Sequence, residues 1–78
     1  MRKKELKLVI TFESTVQAIK MESAAKESQA PGRLIPVPRE ITAGCGLAFC
    51  APLEVREKLE KLMSIKNLKP QMVIELAI

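Results

Sequence analysis

The residues best suited to chemistry lie in the run Ala43-Gly44-Cys45-Gly46, where a cysteine stands between two glycines. Gly44 and Gly46 place no bulky side chain beside the sulfur, and the backbone amides on either side can approach an anion closely. Arg39 precedes Cys45 by six residues, and amides together with a guanidinium favour a thiolate over a thiol. We therefore predict a nucleophilic or sulfur-accepting Cys45. A second interpretation stays open, in which the glycines only make a turn and Cys45 is a small buried filler.

A second cysteine, Cys50, follows five residues later. If the intervening chain is extended, the two Cα atoms lie about 16 Å apart, well beyond the ~7 Å limit for a disulfide. An odd offset also places the two side chains on opposite faces of a strand. We expect Cys50 at the end of a strand near the second helix, and we keep a role as a second acceptor thiol as a subsidiary prediction.

The composition removes most other catalytic schemes. The sequence has no His, Asp, Tyr or Trp, which excludes Ser-His-Asp and Cys-His catalysis and carboxylate–imidazole metal sites. Two cysteines alone also disfavour a mononuclear zinc site, although two chains could assemble four thiolates. We predict no metal and no cofactor.

The net charge of +4 is concentrated at one end of the chain. Arg2, Lys3, Lys4 and Lys7 all fall within the first seven residues, whereas the remainder is nearly neutral. Such a cluster usually solvates a chain end, and the alternative is a contact with RNA or a phosphorylated ligand. We find no signal peptide, and the longest uncharged run, 41–53, is too short to span a bilayer. We expect a cytoplasmic protein with reduced thiols, no membrane partner and no nucleic-acid partner.

The elements that must position these residues can be read from local patterns. Ser14 is predicted to cap the first helix, with Ala18, Ile19, Met21 and Ala25 on its inner face. Six elements are predicted in the order strand 7–12, helix 15–29, strand 33–39, strand 46–50, helix 52–67 and strand 71–78.

This order predicts an α+β, ferredoxin-like βαββαβ fold, with a four-stranded antiparallel sheet of order 4-1-3-2 and both helices on one face. Pro36 and Pro38 are two residues apart, so they remove donors along one side of the second strand and require it to be an edge. We assign residues 1–78 to a single domain, with 1–6 as a basic N-terminal extension. A domain this small buries only about 60–65% of its unfolded surface, so we also expect a homodimer.

Phe12 and Phe49 fall on the first and third strands, where RNA-recognition domains of this topology carry stacking aromatics. The basic residue that opens that motif is missing here, and Cys45 takes its place. We interpret both rings as core residues.

Three stretches of the sequence resemble the small bacterial family DUF3343, described as Se/S carrier protein-like. They are Thr11-Phe12-Glu13-Ser14-Thr15, the run PGRLIPVPREI at 31–41, and the run AGCGLA at 43–48. The resemblance extends over roughly residues 7 to 72, and the glycine-flanked cysteine of the family corresponds to Cys45.

The resemblance implies a thiol protein of selenium or sulfur trafficking. Our own hypothesis is that Cys45 accepts the atom as a persulfide or selenosulfide from a donor enzyme and delivers it to an acceptor enzyme. In this hypothesis Gly44 and Gly46 expose the sulfur, and Arg39 together with Arg33 holds the terminal anion. Such a protein is a carrier rather than an enzyme. The alternative is a small regulatory or binding module, ACT-like or RNA-binding-like, whose cysteines are passive.

Overall fold

A computed structural model describes residues 5–38, 41 and 46–77 of the chain. The elements follow in the order β1 (Leu6–Thr11), α1 (Thr15–Glu27), β2 (Arg33–Pro36), β3 (Leu47–Pro52), a 3-10 turn (Leu53–Val55), α2 (Arg56–Ile65) and β4 (Met72–Ala77). Arg39, Gly44 and Cys45, which the sequence singles out, lie outside the described residues.

The four strands form one antiparallel sheet in the order β2-β3-β1-β4. This is the predicted 4-1-3-2 order of a ferredoxin-like α+β fold, and it places β2 at an edge as predicted, although only Pro36 of the two prolines lies in the strand. β2 is shorter than the predicted strand 33–39, since it ends at Pro36. The amide of Val37 still donates to the carbonyl of Gly46, at 3.0 Å, so the two chains stay together just beyond the strand.

The first helix begins where its cap predicts. Ser14 has an extended backbone, and its side-chain oxygen accepts a hydrogen bond from the Gln17 amide at 3.3 Å. One predicted inner-face residue is wrong: Ile19 is 49% exposed, whereas Ala24 is buried. Ala18, Met21 and Ala25 fix the buried stripe, and Ile19 lies about 100° around the helix from Ala18, outside that stripe.

The main core fills the space between one face of the sheet and the two helices. Phe12 and Phe49 are both fully buried in it, together with Met21 from α1 and Leu59 from α2. Both helices therefore cover the same face, as predicted. The interpretation of the two aromatic rings as core is confirmed, because neither ring is accessible for stacking on a base.

On the opposite face of the sheet, no helix of the described residues packs. Val9 and Ala48 are buried there under Ile41, which comes from the connection between β2 and β3. Ile35 and Ile74 pack at the border of this second cluster. We call this the open face. It is the side of the sheet on which the second cysteine lies.

No helix within the described residues is both long enough and apolar enough to cross a lipid bilayer.

Candidate functional site

Cys50 lies within β3 and points to the open face. It is opposite Val9 on β1 and opposite Arg33 on β2, and Val9 belongs to the open-face cluster. The expectation of a strand end near the second helix is wrong, because the strand continues to Pro52. The side chain turns away from both helices, since Phe49 and Ala51 on either side of it face the main core.

A cavity of about 290 Å³ opens at this position. Lys7 and Arg33 line it together with Cys50, and its apolar walls come from Pro31 and Pro52 along with Gly32 and Ala51. Cys50 is partly exposed and lines this solvent-accessible cavity. The described lining contains two cations and no carboxylate.

The two cationic side chains differ in the ion pairs that they form. Lys7 Nζ lies 3.5 Å from a carboxylate oxygen of Glu5, which is itself 71% exposed, so this ion pair is weak. Arg33 has no ion pair with any residue in the described ranges. Arg33 therefore adds a positive charge to the cavity that no described carboxylate neutralises.

Arg33 reaches this place because Gly32 lets the chain approach β3 closely. Gly32 has a φ of +146°, and a Cβ at this position would overlap the ring of Phe49 and come within 3.1 Å of the Cys50 carbonyl oxygen. A side chain would therefore push the start of β2 away from β3. Because Gly32 has no side chain, β2 can pair closely with β3, and Arg33 then lies opposite Cys50.

At the other end of β3, Gly46 leads into the strand. It is exposed, its φ is +80°, and a Cβ built on it would meet no atom within 4 Å. Cys45 directly precedes this open position in the chain. Cys45, Gly44 and Arg39 lie outside the described ranges, so the roles proposed for them at the site stay predictions. The remaining predicted site residue, Arg33, pairs with Cys50. It therefore lies about 10 Å along β2 from Pro36, which is at the other end of that strand.

One polar group of the open face gave no signal in the sequence. Thr11 is fully buried, and its hydroxyl has no hydrogen-bond partner among the described residues. It lies between Ala48 and Met72 in the sheet register. Threonine is common in apolar strands, so the sequence gives no reason to expect a buried hydroxyl here. The burial of Thr11 is evident only from the packing.

The described residues contain no group of three or more His, Cys, Asp or Glu side chains that could hold a metal ion.

A ferredoxin-like sheet with a cysteine on the face opposite its helices, and a second one next to the glycine that leads into β3, defines a small α+β thiol protein. Within that class the chain belongs to the family described as "Putative Se/S carrier protein-like", whose model matches residues 7–75. The match includes both cysteines, the connection that contains Cys45, all of β2 and β3, and most of β1 and β4. No curated protein and no solved structure matches this chain.

Proposed function

We propose that this protein carries sulfur or selenium and that Cys45 is the atom's point of attachment. The observation that carries the proposal is the match of residues 7–75 to a family described by Se/S carriage, with the glycine-flanked cysteine inside the match. The ferredoxin-like fold is compatible with this role but does not select it, since one fold serves many functions.

The transfer we propose is an exchange at a sulfane atom. The Cys45 thiolate attacks the terminal sulfur or selenium of a donor enzyme's persulfide or selenosulfide. A bond forms from Cys45 to that atom, the bond to the donor's cysteine breaks, and the donor leaves as a thiolate. The atom is delivered to an acceptor enzyme by the same exchange in the other direction. No external oxidant or reductant is consumed.

Gly46, the next residue after Cys45 in the sequence, supports this chemistry. Gly46 is exposed and has free space around it, so the chain next to Cys45 is open to a partner protein. In our proposal the amides around Gly44 and Gly46 and the guanidinium of Arg39 stabilise the thiolate and the terminal anion of the loaded form.

A carrier also accounts for the missing side chains. The sequence has no His and no Asp, so it offers no imidazole to move protons during a reaction. A carrier does not need one, because the donor and acceptor enzymes can supply the acid–base steps. We place this exchange in the cytoplasm, where reducing conditions keep both cysteines as thiols.

The experiment is to incubate the protein with a cysteine desulfurase and cysteine, then measure the intact mass without reductant. We expect an added mass of one sulfur atom that disappears with a thiol reductant, and peptide mapping should place it on the peptide that contains Cys45. Cys45→Ser should lose this adduct, and Cys50→Ser is the matched control that should keep it. Absence of any adduct on the wild-type protein would overturn the proposal.

A further inference from the structure

The cavity at Cys50 has no part in the exchange proposed for Cys45. Four residues of extended chain separate Gly46 from Cys50, which is about 13 Å at ~3.3 Å per residue. Cys50 nevertheless has three properties of a binding site: a partly exposed thiol, a concave space and two cationic side chains.

The charges of the cavity define the ligand. Lys7 and Arg33 line the same cavity as Cys50, Arg33 has no ion pair with a described residue, and the carboxylate at Lys7 is exposed. Two cations without a buried counter-ion among the described residues favour a small dianion, and a guanidinium can hold two oxygens of one anion with two hydrogen bonds.

The size of the cavity narrows the choice further. A volume of about 290 Å³, open to solvent on one side, gives room for a small anion beside Cys50. A ligand of use to a thiol must also offer an electrophilic atom. A sulfane sulfur or selenium bonded to a sulfite group satisfies charge, size and reactivity together.

We propose that Cys50, Arg33 and Lys7 form a second, separate loading site for a small dianion of the thiosulfate or selenosulfate class. The cations bind the sulfite oxygens, and the Cys50 thiolate attacks the outer sulfur or selenium. A bond forms from the Cys50 sulfur to that atom, the bond to the sulfite sulfur breaks, and sulfite leaves with the electron pair. The proton of the Cys50 thiol goes to solvent, and charge and electrons balance without another reagent.

The site is independent of Cys45, so it is tested in the Cys45→Ser protein, whose one remaining thiol is Cys50. This protein is incubated with excess sodium thiosulfate, then assayed for intact mass and for released sulfite. We expect one added sulfur atom and one sulfite per chain, and we expect added sulfite to strip the adduct by the reverse reaction. No adduct, or an adduct without sulfite release, would overturn the proposal.

Charge variants in the same background test the cations. Arg33→Gln should lower the initial loading rate about tenfold and Lys7→Gln about threefold, because charge-assisted hydrogen bonds to the departing sulfite are lost. Lys20→Gln removes the same charge from the exposed surface of α1 and should leave the rate unchanged. Equal rates for Arg33→Gln and Lys20→Gln would contradict the assignment. Circular dichroism of each variant confirms folding, and Arg33→Lys should restore part of the rate.

Discussion

Arg33 on β2 lies directly opposite Cys50 on β3, on the face of the sheet that no helix covers. The pairing brings Arg33, which has no ion pair with a described residue, to the partly exposed Cys50 at one cavity. A cation at this position should attract anionic reagents to the sulfur more strongly than neutral ones.

The first prediction concerns the alkylation of Cys50. In the Cys45→Ser background, Arg33→Gln should slow the reaction with anionic iodoacetate by about threefold more than the reaction with neutral iodoacetamide, because only the former is attracted by the charge. Rates are followed by intact mass at low ionic strength. Added salt should shrink the difference.

Lys20→Gln is the control for this ratio, since it changes the net charge equally but lies on α1. If Lys20→Gln changes the ratio as much as Arg33→Gln does, the effect comes from the overall charge of the protein. Such a result would contradict a local effect of Arg33 on Cys50.

The second prediction compares two glycines with positive φ. Gly32→Ala should lower the free energy of unfolding by about 3 kcal/mol, because its Cβ overlaps the buried ring of Phe49. Gly46→Ala meets only open space and should lose about 1 kcal/mol, which reflects its φ of +80° alone. Urea unfolding of both variants gives the comparison. Equal losses would mean that the contact with Phe49 does not set the position of β2.

The order of elements was predictable because each one carries its own local signal. Ser14 marks the start of α1, and Pro36 favours an edge position for β2, although Pro38 lies beyond the end of that strand. The faces of the side chains were less predictable. Ile19 is apolar but lies outside the buried stripe, and its exposure follows from packing that local sequence does not contain.

The residues of the candidate site also differ in how far the sequence alone predicts them. Cys45 stands out in the sequence because glycines flank it, whereas the cavity at Cys50 depends on pairing between strands that are far apart in sequence. Lys7, Arg33 and Cys50 come from three strands, and only their register brings them together.

The third prediction concerns the buried hydroxyl of Thr11. Thr11→Val keeps the shape of the side chain and removes an oxygen that has no hydrogen-bond partner among the described residues. The free energy of unfolding should therefore rise by about 1 kcal/mol. Thr11→Ser keeps the hydroxyl and loses a methyl group, so it should destabilise. A loss of stability in Thr11→Val would show that the hydroxyl is paired in solution.

The fourth prediction tests the cap of α1. Ser14→Ala removes the acceptor of the Gln17 amide and should lower the free energy of unfolding by about 1 kcal/mol. Ser23→Ala, on the exposed side of the same helix, should be neutral or slightly stabilising because alanine is the better helix former. Thermal or urea unfolding distinguishes the two. Equal effects would contradict a capping role.

The most direct test of carriage by Cys45 uses two variants with one thiol each. Cys50→Ser and Cys45→Ser are incubated side by side with a desulfurase and cysteine, and the sulfur bound per chain is measured by intact mass before and after reduction. We predict about one reducible sulfur atom on Cys50→Ser, whose thiol is Cys45, and none transferred from the enzyme to Cys45→Ser. An unloaded Cys50→Ser protein, with or without loading of the other variant, would contradict the role proposed for Cys45.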